Sequence, residues 1–363
     1  MKKVLIVIGT RPNFIKVTQF KRVAEAYSNL EVKIVHTGQH YDDEMANIFF
    51  DQFQLRPDYF LKIGAGSPNT QMANIMLGLE ELIENTFRPD IMLVPGDVNS
   101  TLAAALTANK LGIKLGHIES GLRSFDRTMP EEINRILTDE ITDFYFVTEE
   151  SGLKHLDKEQ KKGKTFFVGN TMIDTMVTFN KQIDTSSIMG DLKLDQGKFV
   201  LMTMQRPATL DNVGELVKLI ELVEDLTKKY KVFFPVHPRT NNKLKELGLL
   251  DRCIKNENLV ISGPIGYFEF QQLVKNCKFI VTDSGGIQEE STYRQVPCIT
   301  LRPNTERPST VDIGTNTLLP FNMDRVQEVI KMIENGSYKK GSIPELWDGK
   351  ATERIIEAIL TVL

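Results

Sequence analysis

Short apolar, β-branched runs recur along this chain, each followed by a stretch whose apolar residues fall at helical spacing. That alternation restricts the fold more than any other feature, because parallel strands need helix-length crossovers and those helices cover the sheet. The first half carries such runs at 4–8, 33–37, 91–94, 114–118, 144–148 and 166–169. The second half carries them at 199–204, 232–236, 259–262, 279–282 and 298–301. A polar stretch at 180–197, with Asp184-Thr185-Ser186-Ser187 and Asp195-Gln196-Gly197, reads as a linker region. The expected fold is α/β, with two Rossmann-like doubly wound domains facing a cleft, residues 1–175 and 176–345. A length of 363 residues suits two domains of ordinary size. An amphipathic helix is expected at 351–363, after Trp347-Asp348-Gly349.

Composition removes several function classes. A net charge of -4 gives no general pull toward nucleic acid or an anionic membrane surface. No apolar run approaches the roughly 20 residues of a membrane-spanning helix, so membrane insertion is not expected. The start, Met1-Lys2-Lys3-Val4-Leu5-Ile6-Val7-Ile8-Gly9, has a superficial likeness to a signal peptide. It runs into Thr10-Arg11-Pro12 without a small-residue cleavage site and reads better as a first strand. Cys253, Cys277 and Cys298 are odd in number and lack C-x-x-C spacing, which argues for a cytoplasmic protein without a disulfide framework or zinc site. His36 and His40 are four apart, but Gly38 breaks the helix a metal pair needs, so no metal is expected.

Three carboxylates fall where an α/β fold keeps its chemistry. Asp97 closes the run 91–94, Glu119 closes 114–118, and Glu131 follows Pro130 at a helix start. Carboxylates gathered at strand ends repel one another, and that repulsion raises a pKa toward the range where one group can both take and give a proton. Each also has a plain structural reading. Asp97 could cap the helix carrying Leu102 and Leu106, Glu119 could pair with Arg123, and Glu131 could pair with Arg135 at i,i+4. The helix after Pro130 carries Ile133, Ile136, Leu137 and Ile141, which predicts a buried apolar stripe.

An anion has its own candidate position. In Thr282-Asp283-Ser284-Gly285-Gly286 a strand end turns into a helix, and Gly285 and Gly286 let the backbone approach a ligand at a helix N-terminus. The same residues also suit an ordinary tight turn. Glu290 is placed to accept hydrogen bonds from a ribose diol. Arg11, before Pro12, could fork onto a phosphate. Lys16 either points into the cleft or is a solvated helix residue, and Arg307 either binds phosphate or pairs with Glu306 or another acid. Gly9-Thr10-Arg11-Pro12-Asn13-Phe14 is not G-x-G-x-x-G, so no dinucleotide cofactor is expected.

These segments, with His117-Ile118-Glu119-Ser120-Gly121-Leu122-Arg123, Pro130-Glu131-Glu132-Ile133-Asn134-Arg135, Pro235-Val236-His237-Pro238-Arg239 and Thr305-Glu306-Arg307-Pro308, occur in order along nearly the whole chain. Together they resemble the non-hydrolysing UDP-N-acetylglucosamine 2-epimerases. The resemblance implies a glycosyltransferase-B-like fold, a UDP-sugar substrate in the interdomain cleft, a C-terminal helix returning to the first domain, and a homodimer. It implies that Asp97, Glu119 and Glu131 are the catalytic acids. It also implies that Arg11, Lys16, Arg123, Arg135, His237, Phe270, Ser284, Gly285, Gly286, Glu290 and Arg307 contact the substrate, with Phe270 at the uracil. One position departs from the family. Gln205, in Thr203-Met204-Gln205-Arg206, stands where a catalytic histidine is usual. Glutamine can donate a hydrogen bond but cannot carry charge or shuttle a proton, leaving Arg206 or His237 as the nearest replacements.

The activity implied is inversion at carbon 2 of an N-acetylhexosamine by loss of UDP to a 2-acetamidoglucal and its re-addition, feeding cell-surface polysaccharide synthesis. Gln205 leaves room for a 2-epimerase of another UDP-2-acetamido sugar, such as UDP-2,3-diacetamido-glucuronate. A glycosyltransferase and a non-catalytic UDP-sugar-binding regulator are the further alternatives.

Overall fold

In the computed structural model the first strand, β1 (Lys2–Ile8), runs through the middle of a seven-stranded sheet instead of along its edge. The structure describes residues 1–38, 49–64, 66–206, 212–236, 238–249, 252–253 and 255–363. These form two compact units, Met1–Thr178 with Glu345–Leu363, and Phe179–Pro344.

In the first unit, β1 is joined by β2 (Leu30–His36), β3 (Tyr59–Phe60), β4 (Ile91–Pro95), β5 (Lys114–Ile118), β6 (Phe144–Val147) and β7 (Lys164–Phe167). Their spatial order is β3-β2-β1-β4-β5-β6-β7, with every pairing parallel. Parallel strands are covered on both faces, which is why β4 is buried along its whole length. The second unit repeats the plan. Its strands are β8 (Phe199–Thr203), β9 (Lys231–Pro235), β10 (Leu259–Ser262), β11 (Phe279–Thr282), β12 (Cys298–Leu301) and β13 (Asn316–Leu319). They lie in the order β10-β9-β8-β11-β12-β13, again all parallel. In both sheets the winding direction reverses beside the first strand. The carboxyl ends at that reversal are where such sheets bind ligands, and Gly96-Asp97 and Asp283-Ser284 follow strands there.

Three sequence expectations change. The stretch 180–197 is not a linker: it forms helices Asn180–Asp184 and Ile188–Asp191, both packed on helix Tyr267–Asn276, with Ile183 fully buried. Two strands were not foreseen. β3 has only two residues, and β13 opens on a buried asparagine, Asn316, that bonds to Thr300, Gln288 and Thr310. Helix Pro130–Glu140 is turned over. It buries Glu132, Asn134, Arg135, Thr138 and Asp139, while Leu137 is 46% exposed and Ile133, Ile136 and Ile141 are half-buried. Helical periodicity marks a helix correctly but does not say which face meets the core when the buried neighbours are charged.

Helix Ala351–Val362 packs on the first unit against helices Phe20–Ala24 and Thr171–Thr178. It is fastened at its start, where the buried Asp174 carboxylate accepts the backbone N–H of Ala351 (3.0 Å) and Thr352 (2.6 Å). Just before it, buried Trp347 donates its indole N–H to the Thr148 carbonyl at 3.0 Å. No helix among the described residues is long and apolar enough to cross a membrane.

His36 closes β2 with its Nδ1 accepting the Gly38 N–H at 3.0 Å. Burial holds its pKa down to about 4. A base whose folded pKa is depressed stabilises the fold above its unfolded value, and that stability drains away as pH falls through the folded value. The wild-type protein should therefore lose on the order of 3 kcal/mol more stability than a His36→Asn variant between about pH 6.5 and pH 4. Asparagine keeps the acceptor without titrating, and denaturant midpoints measured across that range give the difference.

Candidate functional site

The first unit gathers its charged residues at the carboxyl ends of β1, β4 and β5. Helix Arg11–Val17 starts directly after β1, with Pro12 in its first turn, and turns Lys16 inward. Lys16 is 6% exposed, so it is not a solvated helix residue; its Nζ lies 2.6 Å from Glu119 Oε2, and Glu119 is 2% exposed. Glu119 therefore pairs with Lys16 and not with Arg123. Its backbone is unusual as well, with φ +71, a left-handed conformation that a side chain adopts at some energetic cost.

Gly96 brings Asp97 against this pair. A Cβ at Gly96 would meet Lys16 Nζ at 3.2 Å, Asn13 Nδ2 at 3.3 Å and Glu119 Oε2 at 3.5 Å, and its φ is +70. Only glycine lets the β4 loop come this close in that conformation. Asp97 does not cap the following helix, whose N-cap is Val98. Its carboxylate is ion-paired to the buried Arg135 guanidinium, and its carbonyl accepts Asn134 Nδ2 at 2.8 Å. Arg135 also faces Glu132, three residues back, at 3.7 Å, so its i,i+3 partner is Glu132 in place of Glu131. Glu131 stands half-buried in the first turn of the same helix. Asp97, Glu119, Lys16 and the helix bearing Glu131 thus converge. The acids answer to cations more than to one another.

Arg11 stacks its guanidinium 4.2 Å from the centre of the Phe49 ring. Arg123 lies elsewhere. It is 2% exposed and grips Glu159 through Nε and Nη2 and Asp139 through Nη1. Burial works against its charge, yet Glu159 and Asp139 more than offset that and hold the guanidinium protonated above its ordinary range. Glu132 was passed over in the sequence although it is buried beside Glu131. It accepts Ser124 N at 2.8 Å, Ser124 Oγ at 3.0 Å and Phe125 N at 3.0 Å, fixing the loop before the helix. Its only sequence signal was the doubled acid of Pro130-Glu131-Glu132.

In the second unit Ser284 precedes helix Gly285–Arg294 at its N-cap. A Cβ at Gly285 would lie 2.8 Å from Glu306 Oε1 and 3.0 Å from Arg307 Nη1. The bare face of Gly285 therefore admits the Arg307 guanidinium to the turn. Arg307 is buried and ion-paired with Glu289 (2.8 Å) and Glu306. Gln205 follows β8, and the Asp283 carboxylate accepts its backbone N–H at 3.1 Å and that of Arg206 at 2.9 Å. Arg206 Nε returns a hydrogen bond to the Asp283 carbonyl at 3.1 Å, which sets a guanidinium beside the Ser284 turn. The Gln205 side chain is exposed. Glu290 is buried on the same helix, where desolvation and neighbouring Glu289 push its carboxyl up to about 8 against the opposing pull of Gln271 and Arg294. Phe270 is half-buried on helix Tyr267–Asn276, beside Gln271, packed on the core around Leu273 and Ile287. His237 lies outside the described residues, as does His40.

Known proteins resemble this chain along nearly its whole length. A family model described as UDP-N-acetylglucosamine 2-epimerase matches residues 22–360. The chain belongs to the UDP-N-acetylglucosamine 2-epimerase family. One such epimerase, from Methanococcus maripaludis, is 39% identical over 365 residues, 98% of either chain. The crystal structure of the Methanocaldococcus jannaschii UDP-GlcNAc 2-epimerase in complex with UDP-GlcNAc and UDP matches with a TM-score of 0.90 at 37% identity, covering 99% of each chain. A UDP-2,3-diacetamido-2,3-dideoxy-D-glucuronate 2-epimerase from Pseudomonas aeruginosa is 37% identical over 331 residues, 90% of each. The fold is the glycosyltransferase-B-like α/β architecture of these isomerases.

The buried pair at the centre of the first unit gives a direct test. Lys16→Met leaves the Glu119 charge without its cation in a dry site and should destabilise the protein by about 3–5 kcal/mol. Lys16→Arg should recover most of that loss, both read from chemical denaturation midpoints.

Proposed function

We propose that the protein interconverts UDP-N-acetylglucosamine and UDP-N-acetylmannosamine without releasing free sugar. The observation that carries this reading is the convergence of Asp97, Glu119 and the Glu131 helix at adjoining strand ends, in a chain of the epimerase family. The hydrogen on carbon 2 has no neighbouring carbonyl to acidify it. Departure of UDP from carbon 1 solves this: as the C1–O bond breaks toward the diphosphate, a carboxylate takes the C2 proton, leaving a C1=C2 glycal. Return of UDP to carbon 1, with a proton delivered to the opposite face of carbon 2, completes the inversion.

Asp97 and Glu131 are the two proton-transfer groups, and Glu119, fixed by Lys16, orients the sugar. Charge on the leaving diphosphate is met by Arg11, the Ser284–Gly286 turn, Arg307 and, in place of the usual histidine, Arg206. Glu290 receives the ribose diol, and Phe270 lies toward the uracil. Arg135 acts on the substrate through the Asp97 carboxylate it holds, while Arg123 is held by Asp139 and Glu159. On this reading the first unit carries the acids and the second the nucleotide site, and the protein works in the cytoplasm for cell-surface polysaccharide synthesis. The outward Ile133, Ile136 and Leu137 support a homodimer. A second substrate, UDP-2,3-diacetamido-glucuronate, is favoured by Gln205 and by the similarity to the Pseudomonas aeruginosa enzyme.

Proton NMR of UDP-N-acetylglucosamine with the protein in heavy water tests the reaction. Deuterium should enter carbon 2 as UDP-N-acetylmannosamine signals appear, and Asp97→Asn or Glu131→Gln should slow this by roughly 100-fold or more while UDP still binds. Unaltered rates in those variants would remove the assigned roles. Turnover of the diacetamido-glucuronate alone would select the second substrate.

The Glu290 assignment has a separate signature. A carboxyl near 8 is mostly protonated at neutral pH, and the hydroxyls of a diol favour its ionised form. UDP binding at about pH 7 should therefore release protons, measured by calorimetry in buffers of different ionisation enthalpy, and Glu290→Gln should abolish the release.

A further inference from the structure

We propose that His117 and Asp139 form a positioning clamp holding the Asp97 and Glu119 loops in register. The inference deepens the epimerase reading and rests on it for its catalytic part.

The ring of His117 is fully buried, and both of its nitrogens meet oxygen. Nδ1 lies 2.7 Å from Asp139 Oδ1, and Nε2 lies 2.8 Å from the Gly96 carbonyl oxygen. A carbonyl has no hydrogen to give, so Nε2 must donate. The second oxygen of Asp139 accepts the Gly121 N–H at 3.0 Å and faces Arg123 Nη1 at 2.7 Å. Burial opposes the Asp139 charge, but His117 and Arg123 outweigh it and hold the carboxyl below its usual range. The charged groups around the ring are Asp139 on helix Pro130–Glu140, Arg123 and Glu159 behind that carboxylate, and Lys16 and Glu119 against Gly96 on the other side.

The two anchored backbone groups explain why such a pair would be kept in a dry interior, where its desolvation is costly. The Gly96 carbonyl directly precedes Asp97, and the Gly121 N–H lies two residues beyond Glu119. Gly96, Glu119 and Gly121 all have left-handed backbone, with φ +70, +71 and +78. At Gly121 a Cβ would fall 2.4 Å from the Gly152 carbonyl oxygen, so this turn is tightly confined. One His–Asp unit thus spans the ends of β4 and β5 and stabilises the strained backbone that aims Glu119. Neither residue need touch the substrate. Their part is to keep two reacting side chains at a fixed separation, where displacement of about 1 Å can cost on the order of 100-fold in rate.

Nitrogen-15 NMR of the full-length, isotope-labelled protein reads the clamp without any variant. The His117 Nε2, assigned by sequential connection, should carry a hydrogen-bonded proton protected from exchange with solvent. An Nε2 without that proton would overturn the clamp. The positioning role is read in Asp139→Asn. Its kcat should fall by roughly 100-fold with KM changed less than about threefold and UDP affinity unchanged. Wild-type kcat in a folded Asp139→Asn protein would overturn the positioning role, and so would a loss seen only in stability. Absence of turnover of any UDP-2-acetamido sugar by the wild-type protein would sink the activity reading instead, and the ring measurement would still decide whether the clamp forms.

Discussion

Placing a carboxylate in the dry end of a parallel sheet is expensive unless a cation comes with it, and in this protein the cation comes from the first helix. Lys16 reaches Glu119 across more than a hundred positions of sequence, and that pair ties the segment after β1 to the loop after β5. The loop after β4 passes between them on the bare face of Gly96. The position of Asp97 follows from that passage, and the orientation of helix Pro130–Glu140 follows in turn, because Arg135 must face inward to meet Asp97. A helix that buries its charges for this purpose has to present its apolar side elsewhere.

The second unit solves a related problem with different parts. Its helix Gly285–Arg294 starts at Ser284, and the guanidinium beside Gly285 is secured by Glu289 and Glu306. Buried acids hold Arg307 as firmly as the buried lysine holds Glu119. In both units the groups assigned to the proposed site are already pinned by their own protein partners, the arrangement preorganised electrostatics requires.

Much of this was legible in the residues. Eleven of the thirteen strands share a core with the apolar runs read from the sequence; β5, β10, β11 and β12 have the same bounds. Asp97, Glu119 and the Ser284 turn announced themselves by following such runs. What stayed hidden depends on side-chain partners that no periodicity encodes. The stripe Ile133, Ile136, Leu137 looked like a core face because the pattern carries no information about Asp97 and Glu119 waiting on the other side. Residues 180–197 looked like a linker because their polar composition outweighed Ile183 and Leu194, which anchor them to helix Tyr267–Asn276. Strand β13 escaped notice because Asn316 and Thr317 spend their polarity on internal hydrogen bonds.

The fastening of Trp347 and helix Ala351–Val362 to the first unit has a consequence for biosynthesis. The Thr148 carbonyl and the Asp174 carboxylate find these partners only after nearly two hundred further residues have been joined to the chain. Residues 179–344, by contrast, form an unbroken segment. On the ribosome the later-made unit has all its own parts first, and the half carrying the acids must wait, with a tryptophan-sized vacancy, for residues 345–363 to leave the exit tunnel.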